Sequence, residues 1–165
     1  MAAYASPLRP MTLFEIDSDV ESIARQFFNF LERCGSNCNV VIGDGRLLLE
    51  QVPEMHFDLL MMDAFSSDAV PAHLVSREAL KLYLSKLSPD GILLFNSTNR
   101  FIDIPRLVSG LVADAGLVAF VRRDSTGDLL SDGKLPSVYV VAARHPEDLA
   151  EFSLRLEPDC TFSDL

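Results

Sequence analysis

Positive charge is scarce in this chain: 14 Lys and Arg stand against 24 Asp and Glu over 165 residues, a formal net charge of −10. A surface of that sign repels phosphate backbones and anionic lipid, so no nucleic-acid partner and no membrane contact are expected. A small cation would be drawn in. Long hydrophobic runs are also missing. Although 48% of residues are apolar, no stretch approaches the length needed to span a bilayer. Met1 to Pro10 is too short and too polar for a secretory signal. The three cysteines, Cys34, Cys38 and Cys160, are odd in number and lack framework spacing, which predicts free thiols in a reducing cytoplasm. No second Cys or His pair follows Cys34 and Cys38 at ligand spacing, so no metal is expected. His56, His73 and His145 are scattered. Ser66 and Ser67 lack the Gly-x-Ser-x-Gly setting of a nucleophile elbow, which argues against a hydrolase. There is no repeat, low-complexity tract or charge block.

What remains is a regular alternation of strand-like and helix-like segments. The length fits one domain, read as residues 1–154, with 155–165 as a loose tail. Met11 to Ile16 reads as a strand. Ser18-Asp19-Val20-Glu21 has the form of a capping box. Val20, Ile23, Ala24, Phe27, Phe28 and Leu31 then fall at helical spacing, with Gly35 placed to end the helix. Asn39 to Ile42 is a second strand, and Gly43-Asp44-Gly45 turns into a helix stopped by Pro53. Phe57 to Asp63 is apolar after Asp58, as a strand buried on both faces should be. A polar turn, Phe65 to Pro71, leads to a helix from about His73 to Leu87. Pro89-Asp90-Gly91 is a turn before a strand at Ile92 to Phe95. Asp103 caps a helix closed by Gly116, and Leu117 to Val121 and Ser137 to Ala143 complete the strands. Arg122 to Pro136 reads as a mobile loop or a lid. The alternation predicts an α/β fold with a mostly parallel sheet flanked by helices and its last two strands antiparallel at one edge.

In a parallel α/β sheet the carboxyl ends of the strands share one rim, where ligands bind. Those ends read Glu15 and Asp17, then Asp44, then Asp63, then Asn96. Four carboxylates and an amide are therefore expected to converge. Asp17 and Asp44 also stand where helix caps belong. Asp63 ends the most apolar strand and precedes a loop rather than a helix, which favours a functional role. Asp68 fits a functional loop and an ordinary exposed turn equally well. His73 stands near the acidic loop, where it would line a pocket or simply lie on the surface. Arg46 suits a structural ion pair with a rim carboxylate.

Phe14-Glu15-Ile16-Asp17, Gly43-Asp44-Gly45-Arg46 and Asp63-Ala64-Phe65-Ser66-Ser67-Asp68-Ala69-Val70-Pro71-Ala72-His73-Leu74 closely resemble the spermidine synthase-like (aminopropyltransferase) branch of the S-adenosylmethionine-dependent methyltransferase superfamily. The resemblance runs from about Ala2 to Val121. It implies a Rossmann-like class I methyltransferase fold that binds S-adenosylmethionine or its decarboxylated form. By the same resemblance Glu15 takes the ribose hydroxyls, Asp44 the adenine amino group, and Gly45 permits close backbone approach. Asp17 lies beside the donor's tail, and Asp63 is the catalytic acid facing the attacking amine. Asp68, with His73 nearby, would hold the far end of a polyamine, although the Asp63-to-Asp68 interval is longer than the family's. The family's first strand and Gly-x-Gly-x-Gly turn have no counterpart here, so the chain reads as N-terminally truncated, with Ala2 to Ala5 resembling the helix that follows that turn. The absent strand would lie mid-sheet, between Met11–Ile16 and Phe57–Asp63, so its loss exposes two strand edges, makes these strands pair directly, or calls for a strand from a second copy in a homodimer. Aminopropyl transfer to a polyamine or small amine is the leading expectation. Methyl transfer to a small molecule and a catalytically silent assembly module are the alternatives.

Overall fold

The computed structural model describes residues 2–64, 71–99, 101–124 and 136–150, together with the backbone of 160–164. Its contacts divide the chain into two compact units, Met1–Val52 and Pro53–Leu165.

The first unit begins with a 3-10 turn, Ala2–Tyr4, followed by β1 (Met11–Glu15), α1 (Ser18–Phe27) and α2 (Phe30–Cys34). After a second 3-10 turn come β2 (Cys38–Ile42) and α3 (Gly45–Gln51). β1 and β2 pair in parallel from Met11↔Cys38 to Glu15↔Ile42, so the two strands end level. Asp17, not Ser18, caps α1, its carboxylate accepting from the Asp19 N–H at 2.8 Å. The single long helix expected from Val20 to Leu31 is broken at Phe28, which is extended (φ −125°, ψ 150°). Phe27-Phe28-Asn29-Phe30 is a run of weak helix formers, and no side-chain bond caps Asn29 to offset the break. None of the α1 residues is buried, and Phe27 is 70% exposed. A two-stranded sheet has little surface for its helices to cover.

Cys34 and Cys38 are not free thiols, as the cysteine pattern predicted, but form a disulfide with Cα atoms 5.6 Å apart. Gly35, at φ +58°, folds the chain back between them and brings the two side chains within bridging range.

The second unit holds β3 (Phe57–Met62), α4 (Arg77–Lys86), β4 (Leu87–Asn96), α5 (Ile104–Asp114), β5 (Val118–Asp124), β6 (Ser137–Ala143) and β7 (Cys160–Asp164). Its sheet has the order β3-β4-β6-β5-β7. β3 and β4 are parallel, and β6 is antiparallel to both β4 and β5. β3, β4 and β5 therefore point one way. The antiparallel β5–β6 pair agrees with the sequence pattern, but it does not stand at the sheet's edge: β6 lies beside β4, and β7 covers the far side of β5. β5 continues to Asp124, and residues 125–135 of the loop expected between these strands lie outside the described residues. β7 pairs with β5 where the sequence predicts a loose tail.

Three further details differ from expectation. The helix predicted from His73 begins only after Ser76, whose hydroxyl accepts from the Ala79 N–H; Ala72–Leu74 is a separate 3-10 turn. Pro89-Asp90-Gly91 does not separate two elements but bulges within β4, as Phe57 pairs with Leu87 and Leu59 already with Ile92. β3 is not buried on both faces. It lies at the sheet's edge, and Leu59 is 40% exposed.

The sheet's two faces can be read from the register. Leu93, Phe95, Val140 and Ala142 are buried on one face, with Ile104, Val108 and Val112 of α5 also buried. Val141 and Ala143 point to the other face and pack with Leu149, against Ile92, Leu94, Val118 and Phe120. Tyr83 of α4 is fully buried, and its hydroxyl donates to the Leu74 carbonyl at 3.0 Å. That bond ties the 3-10 turn to the helix. Tyr83→Phe, which removes the donor and keeps the ring, is expected to cost about 1–3 kcal/mol in chemical denaturation.

Candidate functional site

Glu15, Asp17 and Asp44 gather at the carboxyl ends of β1 and β2. The level register ends at Glu15↔Ile42, and the Gly43 N–H donates to the Glu15 carbonyl at 2.8 Å. One Glu15 oxygen, Oε1, turns back to accept from the Asp17 N–H at 3.0 Å. Oε2 has no hydrogen-bond partner among the described residues. Asp44 caps α3: its Oδ1 accepts from the N–H groups of Arg46 (2.9 Å) and Leu47 (3.1 Å). The glycine this turn requires is Gly43, at φ +147° with Leu48 packed beneath it. A Cβ on Gly45 would meet only Phe14, at an ordinary 3.6 Å.

In the second unit, Met62↔Phe95 closes the β3–β4 register and brings Asp63 beside Asn96. Asn96 Nδ2 donates to Asp63 Oδ1 at 2.6 Å, and Asn96 faces Tyr139 of β6. Asp63 is exposed rather than buried, and its Oδ2 has no partner among the described residues. Tyr139 was not among the residues singled out in the sequence. The signal was its alternation with Val141 and Ala143, which puts it on the face that carries Asp63 and Asn96. Burial raises the Tyr139 phenol above the usual tyrosine value of 10.0, and the nearby Asp63 charge adds to the rise. The folded protein therefore holds this proton more tightly than the unfolded chain. That contribution to stability is complete below pH 10.0 and is lost as pH climbs through the raised value. Tyr139→Phe should lessen the fall in the urea midpoint between about pH 9 and pH 11.

His73 lies exposed on the 3-10 turn Ala72–Leu74. Asp68 falls outside the described residues. An open groove of about 580 Å³ runs along the start of α4 and along α5, lined by Arg77, Arg106 and Leu107 among others. The Arg77–Asp114 ion pair (2.6 Å) crosses it, and none of the predicted site residues lines it. No helix among the described residues is long and apolar enough to cross a membrane.

Solved structures with a Rossmann-like fold of the methyltransferase type align with this chain, which shares that fold. A spermidine synthase in complex with the transition state analogue AdoDATO aligns with a TM-score of 0.66 at 18% identity, over 86% of this chain and 49% of its own. Human methyltransferase-like protein 13 in complex with SAH aligns with a TM-score of 0.66 at 22% identity, over 88% of this chain and 68% of its own. The spermine/spermidine synthase domain matches residues 6–119, and the chain belongs to that family. Polyamine aminopropyltransferase of Vibrio vulnificus (strain CMCP6) is 33% identical over 101 residues, 59% of this chain. The chain spans 33% of that relative's length.

Proposed function

We propose that this chain carries the nucleoside-binding and amine-facing residues of an aminopropyl transfer, with decarboxylated S-adenosylmethionine as donor and a polyamine or small amine as acceptor. The family membership supports the reaction class. The observation that carries the reading is Asp63, an exposed carboxylate at a strand end with one oxygen held by Asn96 and the other unpartnered among the described residues.

The amine must be neutral to attack the carbon beside the sulfonium. A C–N bond forms, the C–S bond breaks with its electron pair passing to sulfur, and the nitrogen is left with a surplus proton. In this reading Asp63 Oδ2 orients the amine and accepts that proton. Glu15 fits a ribose diol, because Oε2 is unpartnered among the described residues and a carboxylate has acceptor sites for two hydroxyls. Asp44 would hold the adenine amino group while its Oδ1 continues to cap α3. In the same reading Asp17 lies by the donor's tail, and Asp68 and His73 contact the acceptor. The chain's negative charge suits a cationic acceptor.

Glu15→Ala should weaken binding of an adenosyl nucleoside by more than about tenfold, since hydrogen bonds to a charged group are worth about 1.5–3 kcal/mol each. Titration calorimetry on both proteins checks this. No heat at millimolar nucleoside would overturn the reading. Supplying S-adenosylmethionine and its decarboxylated form in parallel separates methyl from aminopropyl transfer, both of which this scaffold could host.

A further inference from the structure

The face of the second unit's sheet that carries Asp63 changes character abruptly at one edge. Met61, Leu94, Val141 and Phe120 make a continuous apolar row across β3, β4, β6 and β5. Two residues nearer that edge on each strand, the next row reads Asp63, Asn96, Tyr139 and Arg122. The polar row stands at the carboxyl ends of β3 and β4.

Asn96 is fixed at both ends of its amide. Its Oδ1 accepts from the Thr98 N–H at 3.2 Å, while Nδ2 donates to Asp63. A backbone N–H can be met only by the amide's oxygen, so the NH2 group must face the carboxylate. Thr98 is itself clipped to β6. Its hydroxyl accepts from the Val138 N–H at 2.9 Å and reaches the Val138 carbonyl at 3.5 Å. The Ser97 N–H donates to that carbonyl at 2.8 Å. A chain of bonds thus runs from the backbone of β6 through Thr98 and Asn96 to Asp63. β3 is the edge strand of its sheet, and among the described residues this link is the carboxylate's hydrogen-bonded anchor.

We propose that Asn96 is a positioning residue that acts through Asp63, with the Thr98–Val138 clip setting its amide so that Oδ1 is held and Oδ2 is left for the incoming amine. The role rests on the reading of Asp63 as the amine-facing acid, whereas the link itself does not. A residue that merely fastens β3 to β4 would affect stability alone. A residue that binds the amine directly would affect KM.

The test uses the full chain and has two readouts. In Asn-selective 15N spectra, the Asn96 side-chain amide should shift and exchange faster in Asp63→Ala, which removes its acceptor, and again in Thr98→Val. In turnover, Asn96→Ala should lower kcat by about tenfold to a hundredfold with the amine KM unchanged, as small misplacements of a reacting group do. Thr98→Val should give a smaller loss in the same direction. An Asn96 amide indifferent to Asp63→Ala would overturn the link. Unchanged kcat in a folded Asn96→Ala protein, or a loss confined to KM, would overturn the positioning role. If the wild-type protein transfers nothing to any amine, the proposed function fails, while the amide response still decides whether Asn96 holds Asp63.

Discussion

Asp63→Asn is expected to lower kcat for transfer to an amine by about a hundredfold to ten-thousandfold, the span that a positioned general base contributes. The substitution keeps the side chain's shape, and the oxygen of the new amide can still accept from Asn96, so the β3–β4 tether survives. It replaces Oδ2, which has no partner among the described residues, with an NH2 group that can neither take a proton from the amine nor offset its charge. Nucleoside affinity should be unchanged, because Glu15 and Asp44 are held by β1, β2 and α3 and not by β3. Calorimetry with the nucleoside and single-turnover kinetics with an amine panel measure the two quantities separately. Undiminished kcat would remove Asp63 from the chemistry. The same variant carries an internal control: with the Asp63 charge gone, the Tyr139 phenol should titrate at lower pH than in the wild type.

Much of the secondary structure was legible because it follows from local chemistry. The bounds of β6 match the apolar run Ser137–Ala143. Asp103 caps α5 by accepting from the Arg106 N–H, and Gly116 follows that helix at φ +71°, where a left-handed residue is needed. The acids at the strand ends were legible for the same reason, since a residue's position after a strand can be counted. What escaped depended on partners distant in sequence. Periodicity carried the first helix straight through Phe28, because the apolar spacing continues while the backbone does not. Leu59 looked buried because its strand is apolar, yet an edge strand in a partly covered sheet leaves such residues open to solvent. The Cys34–Cys38 bridge needed the turn at Gly35, which the spacing alone does not reveal. Tyr139 acquires significance only through the antiparallel register that sets it opposite Asn96.

Phe95→Ala should be the most destabilising single truncation in the second unit, costing about 3–5 kcal/mol. Phe95 is fully buried and lies on β4, between β3 and β6, with Met62 and Val140 as register neighbours. Removing the ring leaves a space that rigid strands on either side cannot close, so the cavity term adds to the lost transfer energy. Phe95→Leu, which fills more of that space, should recover most of the loss. The position also bears on the chemistry, since Phe95 immediately precedes Asn96 and pairs with Met62, the residue before Asp63. If the anchor of Asp63 depends on the packed sheet beneath it, Phe95→Leu should lower kcat more than its modest change in urea midpoint suggests. Equal stability and equal kcat in Phe95→Leu would show that the Thr98–Val138 clip holds the row without support from the core.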